Sequence, residues 1–181
     1  DVISIGDSVV DTFIPLIDLS AQYRQIRREV LAAVQAVFES QRFVLGENVR
    51  ELESAIAKDT GSRFAVALAS GTDALYLALT AAGIGAGDEV IPTPFTFFAT
   101  AGAISRPGAK PVFADIDPAT YNLDPGQFKK KITRRTKAVI PVHLFGLPCR
   151  MNEIVKIARQ ASLFVLEDAA QSYGARYHGR P

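Results

Sequence analysis

The feature that most constrains the fold is an apolar run that ends abruptly in two acids. Residues 163–166 are apolar without alternation, and Glu167 and Asp168 follow directly. An unbroken run of this kind predicts a strand that is buried on both faces of a parallel sheet. Because ligands of open α/β sheets bind just beyond the carboxyl ends of the strands, Asp168 stands where such proteins usually carry out their chemistry. The run therefore predicts an α/β fold with a site at this strand end.

A carboxylate at position 168 can serve either a ligand or the chain itself. It suits a cationic partner such as the protonated ring nitrogen of pyridoxal phosphate, whose electron-sink behaviour depends on that proton. It can equally cap a following helix or pair with an arginine. The run alone leaves these alternatives open.

The composition narrows the class of protein. The 181 residues are 48% hydrophobic, so a sizeable core can form. The net charge of only +1 does not indicate the positively charged surface that binds nucleic acid. No apolar run approaches the roughly 20 residues of a membrane-spanning helix. The single cysteine, Cys149, is typical of a reducing cytoplasm. We therefore expect a cytoplasmic protein without nucleic-acid or membrane partners, and we expect no metal site.

Beyond residue 63 the chain alternates between strand-like and helix-like segments. Apolar runs bounded by turn residues mark the strands, and helical periodicity marks the segments between them. This repeated βα pattern predicts a three-layer αβα fold with a largely parallel sheet and right-handed crossovers. The predicted strands are residues 64–69, 89–92, 110–117, 138–144 and 163–166.

Several helix boundaries are also predicted. Two amphipathic helices precede the first strand: Ser20 is the predicted N-cap of one, and the other ends near Gly61. The first carries a narrow apolar stripe, which predicts packing on a surface of its own domain or of a partner subunit. Residues 93–100 are predicted to open a later helix with Pro94 near its first turn, and Asp124 is predicted to cap another helix.

The turn at residues 70–73 has the properties of an anion site. It joins a predicted buried strand to a helix pattern that begins at Ala74. Backbone N–H groups and the helix dipole at such a start point toward a bound anion. The alternative is a tight turn in which Ser70 or Thr72 only caps the helix, because the stretch is neither a Walker loop nor a G-x-G-x-x-G fingerprint.

Aromatic and imidazole side chains follow two other strand ends. If a flat cofactor binds, one of Phe95, Phe97 and Phe98 would stack on it and the others would lie in the core; otherwise all three would be core residues. His143 is either a hydrogen-bonded core histidine or a functional group.

Six motifs in the correct order resemble the DegT/StrS-type sugar aminotransferases. These are pyridoxal phosphate-dependent enzymes of the aspartate aminotransferase fold (fold type I). The resemblance extends from residue 14 to residue 181 and covers only the first half or so of a family member. The motifs are residues 14–19, 43–46, 70–75, 94–97, 141–146 and 167–171.

The resemblance implies a role for each matching site residue. Asp168 would hold the pyridine nitrogen of pyridoxal phosphate and act as the catalytic carboxylate, and Gln171 would contact the ring hydroxyl. The remaining positions imply a phosphate cradle at Gly71, Thr72 and Asp73, and a ring-stacking face at Phe97.

The resemblance also implies an activity. Family members usually transfer an amino group from glutamate to a keto-sugar nucleotide, for polysaccharides, lipopolysaccharides or glycosylated metabolites, and their sites lie at a homodimer interface. The family's Schiff-base lysine follows the 167–171 motif, in a stretch beyond residue 181, so the chain alone is expected to be inactive. Two alternatives stay open: a dehydratase of the same family, with histidine in place of that lysine, and a non-catalytic truncated or fused remnant.

Residues 1–13 differ in character from the rest. The turn Gly6-Asp7-Ser8 resembles the opening of certain serine esterases, and the segment with Asp11 resembles more closely the first strand of ribokinase-type sugar kinases. The later motifs of both families are absent from the sequence, so we assign this segment no function. The predicted organisation is an extension at residues 1–13, then the N-terminal part of the cofactor-binding large domain at residues 14–181.

Overall fold

The computed structural model of the protein describes residue 15 and residues 17–181, so the predicted extension at residues 1–13 lies outside the described residues. The chain divides into two units, Asp1–Glu51 and Leu52–Pro181. The first contains helix α1 (Ser20–Ser40) and the beginning of α2 (Glu47–Thr60). Helix α2 ends before Gly61, whose φ of 66° stops the helix as predicted.

The predicted N-cap of α1 is wrong. Ser20 is the first helical residue, and the N-cap residue Leu19 offers no side-chain oxygen. The Asp18 carboxylate instead accepts the Ser20 N–H at 2.8 Å. A carboxylate ahead of the helix can therefore satisfy one of the donors that the first turn leaves without intrahelical partners.

The second unit is built on a parallel sheet of four strands in the order β2-β1-β3-β4. Helix α3 precedes β1, and each strand then connects to the next through a segment that contains a helix. The elements are α3 (Gly71–Ala81), β1 (Glu89–Ile91), α4 (Phe98–Ser105), β2 (Lys110–Pro111), α5 (Pro125–Lys131), β3 (Thr136–Val139), a 3₁₀ turn (Leu144–Gly146), α6 (Met151–Gln160) and β4 (Phe164–Val165).

The predicted three-layer arrangement is confirmed, because two separate apolar clusters cover the faces of the sheet. One cluster joins Val90 of β1 to Leu79 of α3 and Ile104 of α4. The other joins Ile91 of β1 to Phe128 of α5 and Ile154 of α6. Neighbouring strand residues point to opposite faces, so Val90 and Ile91 serve different clusters.

The predicted strands 110–117 and 138–144 correspond to the shorter β2 and β3, and two other predicted strands differ more from the structure. Residues 64–69 pair with no strand among the described residues, and the Ala67 N–H donates to the Glu53 carboxylate at 2.8 Å instead. Strand β4 pairs only with β3 in the described part of the chain, and Phe164 is 42% exposed. The prediction of a strand buried on both faces is therefore wrong: an apolar run indicates what a segment can bury, whereas burial itself needs neighbours on both sides.

A buried acid at the start of β1 makes the stability of this unit depend on pH. Glu89 is 3% exposed; it accepts the Thr133 hydroxyl at 2.5 Å and pairs with the Arg135 Nη2 at 2.7 Å. The hydrogen bond from Thr133, followed by the Arg135 contacts, lowers the pKa of Glu89 below its ordinary 4.5 despite the cost of desolvation. The stabilisation is therefore fully present above pH 4.5 and is lost as pH falls through the lowered folded-state pKa.

We expect the Glu89→Gln variant to be less stable than the parent chain at pH 7, because a neutral amide cannot replace the ion pair. The difference should shrink as pH falls below about 4.5, because protonation removes the same charge from the parent. Urea midpoints measured from pH 7 to pH 3 check this. A difference that stays constant over that range would contradict the assignment to Glu89.

Candidate active site

Asp168 is held firmly by its backbone beside the chain that leaves β3. Its N–H donates to the Pro141 carbonyl at 2.9 Å, and its carbonyl accepts the His143 N–H at 3.0 Å. The carboxylate is half-buried and accepts the Ala170 N–H at 3.2 Å. No arginine pairs with it in the described part of the chain. The Asp168 carboxylate thus makes one contact within its own turn, and its oxygens can accept further hydrogen bonds from a cationic ligand.

Gln171 has a defined orientation. Its Oε1 atom accepts the Phe145 N–H at 2.7 Å. Because a backbone N–H can only donate, the amide oxygen must face Phe145, and the Nε2 amino group is left to donate elsewhere. A donor in this position suits an anionic oxygen.

The turn at residues 70–73 begins α3 and presents backbone donors. The Ser70 hydroxyl accepts the Asp73 N–H at 3.1 Å, so Ser70, and not Thr72, is the capping residue. Gly71 and Thr72 occupy the first helical turn, where N–H groups lack intrahelical partners. A Cβ placed on Gly71 would meet nothing within 4 Å, so the space in front of this turn is open.

The Asp73 carboxylate is neutralised by a cation. It pairs with the Arg106 Nη1 at 2.9 Å, and the Arg106 guanidinium lies 4.2 Å from the centre of the Tyr76 ring. This cluster connects α3 with the end of α4. Its consequence for the turn is electrostatic, because a paired carboxylate repels a bound anion less than a free one does.

The aromatic residues after β1 are more exposed than predicted. Helix α4 begins at Phe98, within the predicted residues 93–100, and Pro94 precedes the helix by four positions and so lies outside its first turn. Phe97 is 77% exposed, Phe98 82% and Phe95 45%. The predicted core role of Phe95 and Phe98 is therefore wrong, and neither ring belongs to the apolar clusters on the faces of the sheet.

His143 is a hydrogen-bonded interior residue. Its Nδ1 accepts the Cys149 N–H at 3.2 Å, so Nε2 carries the proton and donates to the Glu167 carboxylate at 3.0 Å. The Cys149 thiol donates to the Val142 carbonyl, and burial raises the pKa of this thiol to about 11. The contact between His143 and Glu167 joins the segments that follow β3 and β4, whereas the thiol only ties the loop before α6 to Val142 and is not an activated nucleophile.

The chemistry of these groups fits pyridoxal phosphate. Free N–H groups at a helix start suit a phosphate, a carboxylate suits the protonated ring nitrogen, an amide donor suits the ring oxygen, and an exposed phenylalanine offers a face for the ring. The described residues contain no group of three or more potential metal ligands. None of the helices described is long and apolar enough to cross a membrane.

A parallel α/β sheet with such groups on the loops around it is typical of cofactor-dependent enzymes. The chain belongs to the DegT/DnrJ/EryC1/StrS aminotransferase family, whose profile matches residues 24–181. This confirms the resemblance read from the six motifs, and relatives of the chain are named as sugar aminotransferases, which are pyridoxal phosphate-dependent enzymes.

Known proteins similar to this chain include two curated relatives. Over 167 residues it is 50% identical to a pleiotropic regulatory protein of Geobacillus stearothermophilus, covering 92% of this chain and 45% of the relative. It is 46% identical, again over 167 residues, to the UDP-2-acetamido-2-deoxy-3-oxo-D-glucuronate aminotransferase of Pseudomonas aeruginosa, covering 92% of this chain and 46% of that enzyme. The chain thus spans somewhat less than half the length of these relatives.

A solved structure agrees with the fold. The crystal structure of DesV from S. venezuelae superposes with a TM-score of 0.89 at 42% identity, covering 92% of this chain and 45% of that one. The confirmed fold is therefore that of the large domain of pyridoxal phosphate-dependent aminotransferases, and the chain forms a part of this domain.

The sequence did not single out Asn122 or Arg106. Asn122 is buried and bonds to residues more than twenty positions away, and Arg106 pairs with Asp73 across two helices. A polar residue beside the apolar Leu123 was the available signal for Asn122. For Arg106 there was none, because one basic residue after a helix is commonplace.

Proposed function

We propose that this chain forms the cofactor-binding part of a pyridoxal phosphate-dependent aminotransferase that acts on a keto-sugar nucleotide, with glutamate as the amino donor. The product would be an amino sugar for a polysaccharide, a lipopolysaccharide or a glycosylated metabolite. The observation that carries the proposal is the pair of strand-end contacts that fix Asp168 and Gln171. The family membership and the name of the P. aeruginosa relative support the substrate class.

Each residue of the proposed site has a separate task. Asp168 would hold the proton on the cofactor's ring nitrogen, and Gln171 would donate to the ring oxygen. Bound pyridoxal phosphate supplies the electron sink that lets an amino group pass between donor and sugar. Gly71 and Thr72 would bind the phosphate through backbone N–H groups, while the positive charge of Arg106 balances the negative charge of Asp73. Phe97 would cover the ring.

The lysine that joins the cofactor is proposed to lie outside this chain. No lysine follows the 167–171 motif in the sequence. The lysines present are all exposed on the described surface: Lys58, Lys110, Lys129, Lys130, Lys131, Lys137 and Lys156. We therefore assign none of them to the reaction. The dehydratase and the non-catalytic remnant remain alternatives that no contact in the structure favours.

The proposal also includes a homodimer and a cytoplasmic location. Helix α1 carries partly exposed apolar residues at helical spacing, among them Tyr23, Ile26, Val30 and Val34, and such a stripe supports association with a second copy. The lone unpaired Cys149 supports a cytoplasmic location.

The proposed function is tested by cofactor uptake and by a matched pair of substitutions. The chain should bind one pyridoxal phosphate saturably in equilibrium dialysis. Phe97→Ala should raise the dissociation constant about tenfold, because stacking on an aromatic ring contributes roughly 0.5–1.5 kcal/mol beyond buried area. Phe98→Ala is the control, since its side chain is equally exposed.

Neither substitution should change the melting temperature appreciably, because neither ring lies in a core cluster. Equal losses of cofactor in the two variants would remove Phe97 from the site. Absence of saturable binding by the parent chain would contradict the proposed function.

A further inference from the structure

We propose that Asn122 is a positioning residue for the cofactor, acting on Gln171 through the turn at residues 144–147. The inference rests on the proposed function, because the ring oxygen that Gln171 would meet belongs to pyridoxal phosphate. Asn122 itself touches neither Gln171 nor the proposed cofactor position in the contacts described. Its influence passes through one backbone segment.

Asn122 holds both ends of this turn with its side chain. Its Nδ2 donates to the Leu147 carbonyl at 2.8 Å, and its Oδ1 accepts the Leu144 N–H at 3.1 Å. The residue is 3% exposed. Its own backbone is fixed as well, since the Asn122 carbonyl accepts the Asp117 N–H at 2.9 Å. A buried amide anchored in this way acts as a rigid clamp on the turn.

The turn needs such a clamp because its central residue is strained. Phe145 has φ 54° and ψ 24°, a left-handed conformation that is uncommon for a residue with a side chain. Its ring is 74% exposed, so packing of the side chain does not hold it there. Gly146 follows with φ 86°, which glycine adopts without strain. Strained backbone of this kind persists only where surrounding contacts impose it.

The strained conformation aims one backbone donor at the proposed site. With Phe145 left-handed, its N–H meets Gln171 Oε1 at 2.7 Å. If the turn relaxed, the amide of Gln171 would lose this donor and could rotate by half a turn. Its oxygen would then face the anionic ring oxygen of the cofactor in place of its amino group, and an attractive contact would become repulsive.

The experiment uses two substitutions of the clamp and one control. Asn122→Asp keeps the size and the acceptor for Leu144 but removes the donor to Leu147. Asn122→Ser removes both contacts without burying a charge, and it replaces Asn122→Asp in the experiment if the carboxylate variant does not fold. Asn152→Asp makes the same chemical change at an exposed position of α6. Core amides such as those of Val139 and Ile154 report whether each variant is folded.

Two readouts are compared with the parent chain. In the absence of cofactor, hydrogen exchange at the Phe145 amide should accelerate about tenfold in the Asn122 variants, as expected for loss of a net hydrogen bond. The Leu144 N–H also donates to the Val142 carbonyl at 3.0 Å, so its exchange should change less. With pyridoxal phosphate, the dissociation constant should rise about tenfold and the near-ultraviolet band of the bound cofactor should shift, because the ring oxygen loses its donor. The Asn152→Asp control should match the parent in both.

A double-mutant cycle separates this inference from a general loss of stability. Gln171→Leu removes the proposed cofactor contact, so adding Asn122→Ser to it should weaken binding no further. If the two substitutions weakened cofactor binding independently, so that their effects on the dissociation constant multiplied, the inference would be overturned. Unchanged hydrogen exchange at the Phe145 amide would overturn it as well. If the parent chain takes up no pyridoxal phosphate, the proposed function fails instead. Parent-like cofactor binding by folded Asn122 variants defeats the positioning role alone.

Discussion

The Asp168→Asn substitution is expected to weaken pyridoxal phosphate binding about tenfold to a hundredfold while leaving the fold intact, because hydrogen bonds between charged groups contribute roughly 1.5–3 kcal/mol. An asparagine side chain still offers an oxygen to the Ala170 N–H, and the backbone bonds to Pro141 and His143 do not involve the side chain. What disappears is the negative charge that favours the protonated ring nitrogen. Equilibrium dialysis and the ionisation of the bound cofactor, followed by absorbance against pH, measure the effect.

The matched control is Asp115→Asn. Asp115 follows β2 as Asp168 follows β4, and its carboxylate likewise accepts a local N–H, that of Ile116, at 2.8 Å. This control should bind the cofactor as the parent does. Equal dissociation constants for the parent and Asp168→Asn would show that position 168 does not hold the ring nitrogen.

The largest effect on stability is expected for Phe128→Ala. Phe128 is fully buried and is the largest side chain of the interior, although it lies on α5, a helix of seven residues. Truncation removes the largest side chain that this short helix contributes to the apolar cluster with Leu123, Val139 and Ile154, and it leaves a cavity. The cost should be roughly 3–5 kcal/mol in the free energy of unfolding. Urea denaturation followed by circular dichroism measures it.

Phe98→Ala serves as the control for this measurement as well. Its ring is 82% exposed, so its truncation should change the free energy of unfolding by about 0.5 kcal/mol or less. A similar loss of stability in both variants would contradict the assignment of Phe128 to the core and of Phe98 to the surface.

Features set by neighbouring residues were predictable from the sequence. Asp124 accepts the Gln127 N–H at 2.7 Å with Pro125 in the first helical position, as the Asp-Pro pair predicted. The end of α2 at Gly61 and the alternation of strands and helices were predictable for the same reason. Capping, backbone conformation and hydrophobic periodicity act over a few residues, so a short window of sequence contains most of the information they need, although the N-cap of α1 was missed by one residue.

The identity of the site residues was predictable in a different way. Asp168, Gln171, Gly71, Thr72, Asp73 and Phe97 were proposed because six motifs occur in the order typical of one family. That order specifies a fold and its ligand chemistry together, which composition and periodicity do not. The roles of the individual residues stay predictions, to be tested by the substitutions proposed above.

Burial and contact partners were decided by the tertiary structure alone. Residues 64–69 and 163–166 look alike in sequence, yet only part of the second forms a strand here, since pairing depends on a neighbour far away in the chain. The same holds for the exposure of Phe95 and Phe98 and for the pairing of Asp73 with Arg106. The orientation of Gln171 depends on the N–H of Phe145, 26 positions earlier. A sequence pattern records which groups a residue brings, whereas the long-range packing of the chain determines which of those groups meet.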